Sequence, residues 1–309
     1  MSQLAIVCSG QGAQTPDLFT RFPFTEKGLT LRERILEARC LDPEVGDWLA
    51  DPSRDPSAVF QNHYSQPLIC LYQAMVWAEI ADLLPAPAMI AGYSLGELTA
   101  YFCAGAISPE DVVRLAGIRA REMDAAGPRG KLIAVTGLSP VRASSLDGAL
   151  LAIVISEDHC VIGCAADRAE SLARDLLDAG ARDAVVLAVT VPSHTALLDG
   201  AVEPFRSALQ QVAWQDLKTP VLAGISAAKV MRREQMEQVL PEQIHHTVRW
   251  DRIQQRFQES GCRVVLELGP GNQLAHMAVA CGIEARGVDE FRSAEGIAEW
   301  ARATMARLG

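Results

Sequence analysis

At 309 residues, with 49% hydrophobic and 21% charged side chains, the chain can bury a full globular core and has room for one large domain carrying a smaller insert. A formal net charge of −10 argues against a nucleic-acid partner, because phosphate binding needs a basic face. The eight cysteines, at 8, 40, 70, 103, 160, 164, 262 and 281, lie among apolar neighbours with no Cys-x-x-Cys pair, a pattern of buried reduced thiols in a cytoplasmic protein rather than of a disulfide framework.

Leu4 to Cys8 is a short apolar run closed by Ser9-Gly10-Gln11-Gly12, the signature of a buried parallel strand entering a tight loop. The N-terminus has no charged region ahead of that run, so no secretory signal is expected. Helical periodicity follows over Leu29–Ala38 and Gln66–Leu83, and a strand is expected over Ala88–Ala91. Residues 88–107 are apolar, but Glu97 interrupts them, which favours a buried core segment over a membrane span. From Lys131 the texture changes. Strands are expected over Lys131–Gly137, Leu150–Ile155, His159–Gly163 and Asp183–Val189, with helices over Ser139–Leu146 and Asp167–Ala179. This β-α-β-β-α-β order is the ferredoxin-like pattern. Residues 128–190 are therefore read as a small inserted α+β domain, and residues 1–127 with 191–309 as a large α/β-hydrolase-like domain with a parallel sheet. Beyond the insert, a helix follows His194, a strand is expected over Val221–Ile225, and helices over Gln235–Val239 and Arg252–Glu259. Val264–Leu268 forms a last buried strand, ending in Gly269-Pro270-Gly271.

The chemistry centres on Gly92-Tyr93-Ser94-Leu95-Gly96, which sits between the strand at 88–91 and a helix-compatible run at 97–104. That is the setting of a Gly-x-Ser-x-Gly nucleophile elbow, in which the Ser94 hydroxyl projects and the Leu95 amide becomes an oxyanion donor. A serine hydroxyl needs a base within hydrogen-bond reach. Of the six histidines, His194 is the best placed, since Val191-Pro192-Ser193-His194 lies where the insert rejoins the large domain and a cleft is expected. A satisfied core histidine is the bland alternative. The loop Gly10-Gln11-Gly12-Ala13-Gln14 lies at the carboxyl end of the first strand; it lacks a phosphate-binding fingerprint, and its better use is a second oxyanion donor from the Gln11 backbone. His159, Cys160 and Cys164 share a strand with no second ligand cluster, so no metal site is expected there.

Taken in order, Gly10-Gln11-Gly12-x-Gln14, Gly92-x-Ser94-Leu95-Gly96-Glu97, Pro192-Ser193-His194 and Glu267-x-Gly269-Pro270-Gly271 resemble the motif set of the malonyl-CoA:acyl carrier protein transacylases, over nearly the whole chain. The resemblance implies a Ser94–His194 dyad, with His194 oriented by a main-chain carbonyl near Arg249 instead of by an aspartate. It also implies that Arg119 clamps the free carboxylate of malonate, with Gln11 beside the substrate. Malonyl-CoA and an acyl carrier protein would be the partners, a malonyl-serine the intermediate, and no cofactor would be required. Three departures stand out. Tyr93 replaces the usual elbow histidine, Arg249 stands before Trp250 where glutamine is frequent, and Ser156-Glu157-Asp158 lacks the family's asparagine. Tyr93 and the run Arg119–Ala126 look more like the transacylase (epsilon) subunit of malonate decarboxylase than the fatty-acid synthesis enzyme. Two rivals are a serine esterase, with Asp175, Asp178 or Asp183 as the acid, and a non-catalytic scaffold that docks a carrier protein.

Overall fold

The computed structural model describes residues 3–126 and 130–309, and among them eleven strands form two sheets. In chain order they are β1 (Gln3–Cys8), β2 (Met89–Gly92), β3 (Gly130–Thr136), β4 (Leu150–Ser156), β5 (His159–Ala165), β6 (Asp183–Val186), β7 (Val221–Leu222), β8 (Lys229–Val230), β9 (Val248–Arg249), β10 (Cys262–Glu267) and β11 (Glu284–Gly287). The first sheet runs β11-β10-β1-β2-β7-β8 and is parallel except for the last pair. Its central strands are apolar on both faces because both faces are covered. Leu4, Ile6 and Cys8 of β1 pack with helices on one side, while Ala5 and Val7 pack on the other with Trp250, Ile253 and Phe257. The sheet is thus the middle layer of an α/β sandwich, and both β1 and β2 end at the same edge, where Ser9 and Tyr93 begin their loops.

The second sheet runs β6-β3-β5-β4-β9. Its first four strands are antiparallel and have the order of a ferredoxin-like unit. One face carries Ile133, Val135, Cys160, Ile162 and Cys164 against Leu172 and Leu176 of the helix Ala169–Asp178. The cysteines at 160 and 164 are packing residues of that core, and all eight thiols are free. The opposite face joins the large core through the helix Trp250–Glu259, which touches both β4 and β10. Trp250, Ile253 and Phe257 lie on one side of that helix and are each about 1% exposed or less. Burying such side chains contributes ~1.5–3 kcal/mol apiece, so the two sheets are joined by core packing and not by linkers alone.

Several expectations change. The fifth strand of the small sheet, β9, comes from beyond the insert and pairs parallel with β4; two residues are too few to show a period in the sequence. The strand expected over 183–189 stops at Val186, and residues 188–193 leave the sheet to line a cleft. The strand expected over 221–225 is two residues long because Ala223 to Ala227 turn back towards the edge strand β8. The helix expected over 66–83 spans Asn62–Ile80. A domain boundary expected at 127/128 lies outside the described residues. No described helix is long and apolar enough to cross a membrane.

Candidate active site

β2 delivers the chain into the elbow with Tyr93 N–H donating to the Cys8 carbonyl at 2.9 Å, which fixes the turn against the end of β1. Ser94 then takes φ +55°, a left-handed conformation that a non-glycine residue holds only where its surroundings impose it. The flanking glycines are required by contact. A Cβ on Gly92 would lie 2.0 Å from the Glu97 nitrogen, and one on Gly96 would lie 2.0 Å from the Cys8 carbonyl oxygen. The helix Gly96–Cys103 starts at once, so Ser94 stands at its mouth.

Ser94 Oγ lies 2.7 Å from His194 Nε2. The other ring nitrogen, Nδ1, lies 2.6 Å from the main-chain oxygen of Gln243. A carbonyl can only accept, so Nδ1 carries the proton and the Nε2 lone pair faces the serine hydroxyl, which donates to it. His194 also has positive φ, +65°, and its own N–H donates to the Ile244 carbonyl at 2.7 Å. Two consecutive carbonyls of the 243–244 turn therefore fix the imidazole and its backbone. Burial, with the Arg119 charge nearby, pushes the His194 pKa down to about 3, so the ring is a neutral base throughout the physiological range.

The expectation that a carbonyl near Arg249 orients His194 is corrected: that carbonyl belongs to Gln243. Arg249 lies on β9, its N–H donates to the Gly224 carbonyl, and its guanidinium pairs with Asp251 at 2.6 Å. The reason is geometric. The turn Gln243–His246 brings the chain past His194 before β9 carries it to the small sheet. No aspartate occupies the Nδ1 position; Asp175 pairs with Arg168, and Asp183 bonds Thr136 and Arg182 on the small sheet.

Arg119 is 1% exposed on the helix Pro109–Ala125, which packs on the helix Asn62–Ile80. Its Nη1 donates to Gln66 Oε1 at 2.9 Å and its Nη2 to Gln243 Oε1 at 3.4 Å. Among the described residues no carboxylate lies within salt-bridge distance of it. Burial lowers its pKa to about 10, which still leaves it charged at neutral pH. A buried guanidinium hydrogen-bonded only by neutral amides, with Glu97 acting on its charge at a distance and not by contact, has donors left over and would be stabilised by an anion.

Gln243 and Glu97 are the residues that sequence reasoning missed as members of this network. The Gln243 amide nitrogen donates to the Ser94 carbonyl at 2.9 Å and to Glu97 Oε2 at 2.6 Å, while its amide oxygen faces Arg119 and its main-chain oxygen holds His194. Glu97, fully buried, also accepts from the Gly224 N–H at 2.9 Å. Burial drives its pKa up to about 7. No local pattern in the sequence marks Gln243, whose burial beside Pro241 and Ile244 is a product of the fold.

The first loop is braced from below. Ser9 Oγ donates to Glu267 Oε1 at 2.6 Å, Gln73 donates to the Ser9 carbonyl at 2.9 Å, and Gln11 Nε2 donates to Ser65 Oγ. Glu267 also accepts from the Ala275 N–H at 2.7 Å, which is how the motif after β10 supports the loop after β1. Among the described residues neither the Gln11 nor the Leu95 amide has a hydrogen-bond acceptor. Gln11 lines a cleft of about 510 Å³ together with Asn62, Met123, Val191 and Ser193, the residue preceding His194. The arrangement can deprotonate a serine hydroxyl, offer free amides to an oxyanion, and neutralise a carboxylate.

The sequence profile of the family described as acyl transferase domain matches residues 57–306. The chain is 26% identical over 317 residues to a malonyl CoA-acyl carrier protein transacylase of Haemophilus influenzae, covering 97% of this chain and 99% of that protein. Its fold is similar to the crystal structure of an acyl carrier protein S-malonyltransferase from Vibrio cholerae, with a TM-score of 0.82, 25% identity and coverage of 96% of this chain and 100% of that one. It is also similar to a malonyl-transacylase solved in complex with its type II PKS acyl-carrier protein, with a TM-score of 0.83, 25% identity and coverage of 98% and 100%.

Proposed function

Because the chain belongs to the acyl transferase domain family, we propose that it moves a malonyl group from malonyl-CoA to the thiol of an acyl carrier protein through a malonyl-Ser94 intermediate. The observation that carries this reading is Arg119, a buried guanidinium without a carboxylate partner, set in the network that also fixes Ser94 and His194. In the proposed mechanism His194 Nε2 accepts the Ser94 proton as Oγ attacks the thioester carbonyl. The Leu95 and Gln11 amides hold the tetrahedral oxyanion, each contributing roughly 3–4 kcal/mol. The imidazolium then returns its proton to the departing coenzyme A sulfur. The carrier thiol attacks malonyl-Ser94, and the same steps run in reverse. Arg119 pairs with the free malonyl carboxylate, and a bidentate match explains a guanidinium at this position in place of an ammonium. Partners named for the relatives, malonyl-CoA and acyl carrier protein, support the reading.

That the carrier is the one of a malonate decarboxylase rests on Tyr93 and the run 119–126. Tyr93 is packed edge-on against Trp250 at 5.3 Å between ring centroids and lines a small pocket beside Gly10 and Gln11. The relatives, named for transfer to acyl carrier protein, favour the general transacylase. Comparing transfer rates to a fatty-acid-type carrier and to a malonate decarboxylase carrier separates the two pathways.

Incubation with malonyl-CoA followed by intact-mass measurement tests the activity itself. A single malonyl adduct that is absent in Ser94→Ala and discharged by carrier protein is expected. Turnover to free malonate without a carrier would instead make the protein an esterase, and no adduct at all would make it a scaffold.

A further inference from the structure

On the outer side of the turn that holds His194, the structure brings together Glu242, His245 and His246, whose donor atoms all lie within 4.8 Å of one another. His245 Nε2 is 2.9 Å from Glu242 Oε2, and His246 Nδ1 is 3.5 Å from the same oxygen and 3.1 Å from the Glu242 main-chain oxygen. The other nitrogen of His245, Nδ1, lies 2.7 Å from Asp199 Oδ1 at the start of the helix Asp199–Gln210. Arg206 pairs with Glu242 Oε1, which leaves Oε2 turned towards the two rings.

This arrangement has a definite electrostatic requirement. A neutral His245 that donates Nδ1–H to Asp199 presents its Nε2 lone pair to a carboxylate oxygen, and two lone pairs at 2.9 Å repel unless something positive lies between them. A proton fills that place, and so would a cation. Two imidazoles and one carboxylate oxygen suit a borderline-soft divalent ion, and the two histidine-to-carboxylate spacings, 2.9 and 3.5 Å, are near those of neighbouring ligands about 2 Å from a tetrahedral zinc. A carboxylate on the far nitrogen of a ligating histidine fixes its tautomer and raises its basicity, and Asp199 stands in that position.

We propose that Glu242, His245 and His246 form a site for a divalent transition-metal ion, zinc by preference, with Asp199 orienting His245 and water completing the coordination. Binding displaces the Nε2 proton of His245 to solvent while its Nδ1–H continues to donate to Asp199, and His246 shifts its proton from Nδ1, where it donates to the Glu242 carbonyl at 3.1 Å, to Nε2 so that Nδ1 can ligate. The rings are accessible, with His245 20% and His246 55% exposed. The ion ties the end of the helix Arg233–Glu242 to the helix at 199–210, across the turn whose Gln243 and Ile244 carbonyls hold His194. The site is separate from the proposed malonyl chemistry and stands or falls without it.

The test uses untagged, chelator-treated full-length protein, titrated with zinc chloride by calorimetry. One equivalent should bind with a dissociation constant on the order of micromolar. His246→Ala removes an exposed ligand without touching the core and should weaken binding at least about tenfold. Asp199→Asn should weaken it by roughly 10- to 100-fold. Zinc should raise the melting temperature of the wild type more than that of His246→Ala at the same zinc concentration. Absence of saturable binding, or equal zinc affinity in the wild type and folded His246→Ala, overturns the site. Loss of binding on His63→Ala instead, beside Glu44, overturns it as well.

Discussion

Replacing Arg119 separates substrate recognition from bond making. The guanidinium is 1% exposed, keeps its charge, and is met by two amide oxygens at 2.9 and 3.4 Å. A malonyl carboxylate entering the site would complete a desolvated charge pair, and truncating one partner of such a pair costs about 2–5 kcal/mol, or roughly 30- to 4,000-fold in kcat/KM. Acetyl groups carry no carboxylate and lose nothing of that kind. Arg119 is also the second cause of the depressed His194 pKa, after burial, so its removal should make His194 a somewhat stronger base. Arg119→Gln, which retains most of the side-chain volume, is therefore expected to lose malonyl transfer by at least about 30-fold while holding or raising acetyl transfer. Acylation rates for malonyl-CoA and acetyl-CoA, followed by rapid-quench intact mass, measure both arms; the melting temperature of the variant verifies its fold. A parallel decline with both substrates in a folded variant would refute the reasoning and make Arg119 a structural residue.

The pH dependence of acylation follows from His194. A histidine base with the ordinary pKa of 6.5 would lose about 30-fold in rate between pH 8 and pH 5, whereas one held near 3 should leave that interval flat; a decline centred near 7 that disappears in Glu97→Gln would assign the titration to Glu97 instead. The same depression affects stability. The unfolded chain binds the His194 proton more readily, so this contribution is complete above pH 6.5 and is lost as the pH falls towards 3. Gly96→Ala places a methyl group 2.0 Å from the Cys8 carbonyl and should lower the stability by about 1–3 kcal/mol or more, read from urea denaturation; an unchanged midpoint would show that the elbow yields freely. A negatively charged carrier meeting a chain of net charge −10 needs a local basic surface. Arg233, Arg249 and Arg256 are engaged with Glu237, Asp251 and Glu259, so Lys229 and Arg232 are the better probes. Reversing both to glutamate should raise the KM for the carrier and leave self-malonylation unchanged; unaltered carrier kinetics across a salt series would place docking elsewhere.

The layered fold was legible because it rests on local periodicity. Continuous apolar runs announced β1, β2 and β10, and the change of texture after residue 130 announced the ferredoxin-like strands. The elbow was legible for a related reason: two glycines around a serine, between strand and helix, form a local pattern, although the contact that requires Gly96, the Cys8 carbonyl, comes from the distant end of β1. The tertiary structure decided what depends on distant segments. Nothing near residue 243 in sequence reveals that its carbonyl meets a histidine 49 positions away, or that its amide joins a glutamate 146 positions away. The same holds for Arg119, whose buried, carboxylate-free setting arises from the packing of two long helices and the 243 turn. Hydrogen bonds of buried polar groups depend on direction and on a few tenths of an ångström, and those are settled only when the whole core closes around them.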